Sequence, residues 1–94
     1  MTQPEAVRQI GQLLNNGGRH GRSTRLAKLM GTGATTVQSW AAAGDSESRK
    51  RTMSPTARRL MFLLLALHED GADLDRLRRR ARDLEGEYLG EDND

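Results

Sequence analysis

The helical architecture is set by residues 23 to 42, which read STRLAKLMGTGATTVQSWAA. Apolar residues recur every three or four positions on both sides of a glycine-rich break at 31–33, and this spacing is typical of two amphipathic helices. The pattern predicts one helix over 24–30, with Ser23 as its N-cap, and another over 34–43. Two short helices joined by a tight three-residue turn are therefore expected.

Each of these two helices has one apolar face. The residues expected to point inward are Leu26, Ala27, Met30, Val37 and Trp40. Ala27 is small, which lets two helices cross closely, and Gly31 can adopt the positive φ that a sharp turn needs. Trp40 shares a face with Val37, so we interpret it as a core residue rather than a base-stacking one.

Three further helices are predicted outside this stretch. A capping box over 2–5 begins the first, which ends at the Asn-Asn-Gly-Gly sequence of 15–18. A later helix begins with Ser54 as its cap, followed by a proline, and runs to about Leu67. The last helix covers about 72–88. Because no strand pattern interrupts this order, the fold class expected is all-α, a compact five-helix domain.

The charge of the chain is unevenly distributed. Residues 1 to 68 contain ten Lys or Arg and three Asp or Glu, whereas residues 69 to 94 contain five Arg and ten Asp or Glu. A body this basic predicts a polyanionic partner such as nucleic acid, and the acidic tail favours solubility.

The sequence also limits where the protein is found. Among its 94 residues there is no cysteine, which excludes a disulfide framework and a thiolate zinc site. The longest apolar run, 60–67, falls far short of the roughly 20 residues that span a bilayer, and Met1 begins neither a secretory signal nor a lipidation motif. We expect a soluble cytoplasmic protein that makes no membrane contact.

Catalytic chemistry has few candidate residues. His20 lies in a basic glycine-rich loop and His68 at a helix end, without the H-x-x-x-H spacing of a helical zinc site. The acidic residues cluster in the tail, where no pocket is expected for paired-carboxylate catalysis. We expect no enzyme activity, no metal, no cofactor and no small-molecule ligand.

The two short helices and their turn resemble the helix-turn-helix of the Cro/C1-type (XRE-like) repressors of phages and bacteria. The likeness rests on the small Ala27 four residues before the turn glycine Gly31, and on the inward residues of both helices. It extends over about residues 3 to 68. The chain departs from the pattern at Thr32, where an apolar residue is usual, and at Gly33, which replaces the common Ser cap.

The resemblance implies a sequence-specific repressor of transcription that binds double-stranded DNA as a homodimer, on an inverted-repeat operator of its own promoter. The small phage and mobile-element autorepressors, including anti-CRISPR-associated regulators, are similar. The expected organisation is a DNA-binding domain over 1–68, a dimerisation helix within 69–89 and a disordered acidic tail over 90–94.

In this family the second helix of the motif enters the major groove, with its first residues toward the base edges. The residues expected to read bases are Ala34, Thr35, Gln38 and Ser39. The residues expected to contact the DNA backbone are Arg22, Ser23, Arg25, Lys28, Thr36, Arg49, Lys50 and Arg51. Gln can bind adenine with two hydrogen bonds, and Lys and Arg neutralise phosphates.

Dimerisation is expected through the last two helices. The helix that contains 60–67 is apolar on all sides, so a single core cannot cover it, and the last helix spaces apolar residues by three and four. The residues expected at the interface are Phe62, Leu65, Leu74, Leu77, Ala81, Leu84 and Tyr88. The other arrangement that the sequence allows is a last helix that folds back on its own subunit.

Two alternatives stay open from the sequence. The chain could be the antitoxin of a toxin–antitoxin pair, with its tail bound to the toxin. It could also be an antiactivator or adaptor that uses its helices only for protein contacts. Specific binding to duplex DNA separates the adaptor from the other two.

Overall fold

The computed structural model describes residues 1–42 and 51–90. The helices are α1 (Gln3–Leu14), α2 (Arg22–Met30), α3 (Ala34–Ala41), α4 (Pro55–Glu69) and α5 (Leu74–Glu85). A π-helical turn over Gly86–Gly90 follows α5, and the described residues contain no strand. The predicted all-α, five-helix fold is confirmed.

Local capping explains where three of the helices begin. The Thr2 hydroxyl accepts a hydrogen bond from the Glu5 amide, and Ser54 does the same for Ala57 at the start of α4. The Asp73 carboxylate accepts from the Arg76 amide, so the last helix begins at 74 rather than at about 72. Side-chain caps satisfy amides that have no partner inside the helix.

The cap predicted for α2 is wrong. The N-cap is Gly21, whose backbone is left-handed at φ 78°, and Ser23 is the second residue of the helix. A glycine adopts this conformation without steric cost, so the chain turns and enters the helix two residues earlier than expected.

The turn between α2 and α3 has the predicted form. Gly31 is left-handed at φ 77°, and the amides of Gly31 and Thr32 both donate to the Ala27 carbonyl, at 2.9 and 3.0 Å. Gly33 is the extended N-cap of α3, as predicted. The predicted end of α3 at 43 is wrong, because Ala42 is already extended at ψ 135°.

The core lies where α1, α2 and α3 meet, with α4 against α1 and α2, and α5 against α2 and α4. The buried hydrophobic residues are Val7, Ile10, Leu14, Leu26, Ala27, Val37, Trp40, Met53, Met61 and Leu74. Trp40 is therefore a core residue, as predicted, and Met30 packs partly buried against the same cluster.

Candidate nucleic-acid interface

The α3 helix presents a polar face to solvent on the side opposite the core. Thr35 and Gln38 are exposed, while Val37 and Trp40 anchor the other side. A helix of eight residues is too short to be stable alone, so these buried contacts hold its orientation. Two of the four predicted base-reading side chains are thus fully available to a partner.

The other two predicted base-reading residues are less available. Ala34 is half-buried and packs against the core cluster. Ser39 is also half-buried, and its hydroxyl donates to the Thr36 carbonyl at 2.6 Å, so its proton is already used within the helix. Thr36, predicted to contact phosphate, is half-buried as well.

Three carbonyls at the C-terminal end of α3 accept hydrogen bonds from residues distant in sequence. The helix carries no basic residue in its last turn. The carbonyl of Ser39 accepts from the Arg51 amide at 3.2 Å, and that of Trp40 from Gln3 Nε2 at 3.2 Å. The Ala41 carbonyl accepts from an Arg8 Nη at 2.8 Å. Three successive carbonyls without helical partners are therefore satisfied.

Two α1 side chains supply most of this cap, and we call Gln3 and Arg8 the α1 clamp. Gln3 Nε2 also donates to the Arg51 carbonyl at 2.8 Å, and its Oε1 accepts from the Met53 amide at 2.9 Å. The clamp therefore joins the end of α3 to the chain that returns toward α4.

Sequence reasoning missed the α1 clamp, although a signal was present. The third helix is followed by Ala-Ala-Gly at 42–44, and no Lys, Arg or His occurs before position 49. A helix without a local cationic or side-chain cap needs donors from elsewhere, and the long polar side chains of α1 are suited to supply them.

The predicted DNA-backbone residues differ in their surroundings. Lys28 and the Arg51 side chain are exposed. Arg22 is half-buried, with an Nη that donates to Gln12 Oε1 at 3.4 Å. Arg49 and Lys50 lie outside the described residues, so their predicted contacts have no structural counterpart here.

Arg25 is engaged within the chain. Its Nε donates to the Leu14 carbonyl at 3.0 Å, and an Nη donates to the Asp75 carboxylate. This hydrogen bond and the cationic charge of Arg25 hold the pKa of Asp75 below its usual range, because both favour the ionised carboxylate. Arg25 therefore ties α1 and α2 to α5, and its predicted contact with phosphate stays a prediction.

Several apolar side chains of α4, α5 and the π-helical turn are also exposed, and we call this set the α4–α5 apolar surface. Its exposed members are Phe62, Leu63, Leu67, Leu77, Tyr88 and Leu89. Ala81 is exposed and Leu84 half-buried. Although α4 is strongly apolar, no helix in the described ranges is long and apolar enough to cross a membrane.

Two predicted interface residues do not belong to this surface. Leu74 is only 5% exposed and lies in the core, which excludes it from contact with a second chain. Leu65 is half-buried and packs against the same core. The reason is that the start of α5 folds back on α2 and α4, so the first position of its apolar seam is covered within the chain.

Neither His20 nor His68 joins a metal-binding group among the described residues. Within 1–42 and 51–90, no three His, Asp or Glu side chains are placed to hold a metal ion.

Comparison of the chain with protein-family models, curated proteins and solved structures finds no match. The resemblance to the Cro/C1-type repressors therefore stays a prediction.

Proposed function

We propose that this protein is a sequence-specific DNA-binding repressor that acts as a homodimer, with α3 as its recognition helix. The main support is the orientation of α3. Its exposed Thr35 and Gln38 follow a three-residue turn, and its opposite face is buried through Val37 and Trp40. Exposed polar side chains on an anchored helix are what a major-groove recognition helix needs.

The two exposed side chains suit base recognition. The Gln38 amide has one acceptor and two donors, which match N6 and N7 of adenine. Thr35 offers a methyl group to the thymine methyl and a hydroxyl that can donate or accept. Half-buried Ala34 and Ser39 border this pair.

Exposed cations supply the sequence-independent part of binding. Lys28 lies on α2 and Arg51 beside the C-terminal end of α3, and both side chains are exposed. The excess of basic residues in 1 to 68 also strengthens binding to DNA of any sequence. Each phosphate that is neutralised releases counterions, so this binding weakens as salt is added.

The homodimer uses the α4–α5 apolar surface. Leu77, Ala81, Leu84 and Tyr88 keep the three-and-four spacing of a helix seam after Leu74 enters the core. A second copy of the chain carries the same seam, so the two seams can pack against each other. Because one α3 reads only a few base pairs, a second copy also lengthens the DNA site that is recognised. Two copies related by a two-fold axis would place their recognition helices about 34 Å apart on one face of an inverted repeat.

A repressor of this size acts by occluding a promoter, and its own promoter is the proposed target. The competing proposal is a protein adaptor or antitoxin, favoured by the same exposed apolar surface, which could receive a different protein.

The test is selection of bound duplexes from a random-sequence DNA library, followed by footprinting on the region upstream of the gene. We expect enrichment of an inverted repeat whose half-site centres are about one helical turn apart. The matched control is the Thr35→Ala, Gln38→Ala double variant, which should enrich no such sequence while remaining folded by circular dichroism. If the wild-type chain enriches no sequence, it is not a sequence-specific repressor, and the adaptor proposal is favoured.

A further inference from the structure

We propose that Gln3 is a positioning residue for DNA binding, which acts by holding Arg51 beside the C-terminal end of α3. This inference rests on the proposed DNA-binding function. It adds a role for a residue at the start of α1, outside the helix-turn-helix.

Gln3 uses every polar atom of its side-chain amide. Its Nε2 donates to the carbonyls of Trp40 and Arg51, at 3.2 and 2.8 Å, and its Oε1 accepts from the Met53 amide at 2.9 Å. One side chain therefore joins the last turn of α3 to two positions in the chain that leads to α4. These partners lie 37 to 50 residues away in sequence.

The Arg51 backbone is held on both sides while its side chain is exposed. The Arg51 amide donates to the Ser39 carbonyl at 3.2 Å, and its carbonyl accepts from Gln3. With both backbone groups bonded, the guanidinium is carried on a fixed Cα beside the end of α3. Fixing the backbone in advance lowers the conformational entropy lost when a side chain binds a partner.

The location of Arg51 has an electrostatic consequence. The C-terminal end of a helix carries a partial negative charge, which repels phosphate. The donors from Gln3 and Arg8 offset part of that charge, and the exposed guanidinium of Arg51 adds a full positive charge at the same end of α3. The end of α3 thereby becomes compatible with a DNA backbone.

The experiment is a double-mutant cycle between Gln3→Ala and Arg51→Ala, measured as affinity for a random-sequence 20-base-pair duplex over a range of salt. We expect Arg51→Ala alone to weaken binding about five- to fifteen-fold at about 50 mM salt and to reduce the log–log salt slope by about 0.9. In the Gln3→Ala background the same change should weaken binding less than about two-fold, with no further loss of slope.

A second variant separates positioning from loss of fold. Gln3→Glu keeps an oxygen that can accept from the Met53 amide but places a carboxylate against the carbonyls of Trp40 and Arg51. Because an acidic residue is favourable in the first turn of α1, this variant should remain folded. In the Gln3→Glu background, as in Gln3→Ala, we expect Arg51→Ala to weaken DNA binding less than about two-fold. In the background of Gln9→Ala, on the exposed side of the same helix, Arg51→Ala should weaken binding as much as it does in the wild type.

Amide hydrogen exchange gives a readout independent of DNA. The amides of Arg51 and Met53 should be protected in the wild type and exchange at least about tenfold faster in Gln3→Ala, but not in Gln9→Ala. The positioning role is wrong if Arg51→Ala lowers DNA affinity equally with and without Gln3, or if these amides exchange freely in the wild type. Either result leaves the proposal of DNA binding standing. If the wild-type chain binds no duplex at low salt, the proposed function and this inference fail together.

Discussion

Thr35 and Gln38 are the two α3 side chains whose removal should change sequence recognition without changing the fold. Both are exposed, so Thr35→Ala and Gln38→Ala leave the core intact. Each substitution should cost about 1 to 3 kcal/mol in binding to the selected DNA sequence and little on random DNA. Titration of both duplexes at one salt concentration measures the difference.

Ser39→Ala is the matched control for this pair. The Ser39 hydroxyl donates to the Thr36 carbonyl within the helix, so its removal should change DNA affinity by no more than about 0.5 kcal/mol. Full operator affinity in both the Thr35 and Gln38 variants would show that the groove-facing surface has been misassigned.

The two glycines of the α2–α3 turn should respond in opposite ways to a side chain. Gly31 is left-handed at φ 77°, and Gly31→Ala should lower the free energy of unfolding by about 1 to 2 kcal/mol. Gly33 is an extended N-cap with open space around the position of a Cβ, so Gly33→Ser should raise it by a few tenths of a kcal/mol. Urea titration of both variants measures the sign of the change in the free energy of unfolding. Equal losses of stability in the two variants would contradict the assigned turn geometry.

At the scale of elements, the Arg25–Asp75 ion pair is the link between α2 and α5. The lowered pKa of Asp75 means that the folded state favours the ionised carboxylate. This contribution to stability is complete above the unfolded pKa, near 4, and is lost as pH falls through the lower folded value. Asp75→Asn should therefore reduce the free energy of unfolding at neutral pH.

The pH dependence separates this effect from a general loss of packing. The stability difference between wild type and Asp75→Asn should be constant near pH 7 and shrink below about pH 4. Asp83→Asn, exposed on the same helix, is the control. Urea unfolding followed from pH 3 to 7 makes the comparison, and a difference that grew on acidification would rule out the ion pair as its source.

The elements that sequence predicted well are those whose ends depend on near neighbours. The capping residues Thr2 and Ser54 act on amides three positions away, and the Gly31 turn is closed by bonds to Ala27. The end of α3 could not be placed in the same way. Two of its carbonyls, those of Trp40 and Ala41, accept from α1 side chains more than thirty residues away, and no local pattern records that pairing.

The candidate site was predictable to a similar extent. Thr35, Gln38 and Lys28 are exposed, as expected for residues on the polar faces of amphipathic helices. Arg25 could not be recognised as a structural residue, since its partner Asp75 lies fifty positions away on α5. Leu74 was misassigned for a related reason: its spacing is the same whether the seam meets a second chain or the core of its own chain.

At the scale of the whole molecule, Leu74 and Leu77 should have different effects although they share one helix seam. Leu74 is buried, so Leu74→Ala should destabilise the fold by about 2 to 5 kcal/mol. Leu77 is 40% exposed, so Leu77→Asp should remain folded and prevent dimerisation. Light scattering and circular dichroism on both variants separate the two outcomes.

The dimer prediction also has a consequence for DNA affinity. A monomeric Leu77→Asp variant keeps each half-site contact but loses the gain from binding two half-sites at once, so its operator affinity should fall by about 10² or more. The outcome that would count against the dimer is a wild-type chain that stays monomeric at tens of micromolar, or that protects a single half-site without a repeat.

The hydrogen bonds from the α1 clamp to α3 go to main-chain carbonyls. The acceptors are the carbonyls of Trp40 and Ala41, so these bonds are indifferent to which residues occupy positions 35 and 38. The residues that hold α3 in place are therefore different from the residues that we propose read DNA bases. A library randomised at those two codons should consist mostly of folded proteins with altered DNA preferences, and divergence to a new operator would require few compensating changes elsewhere.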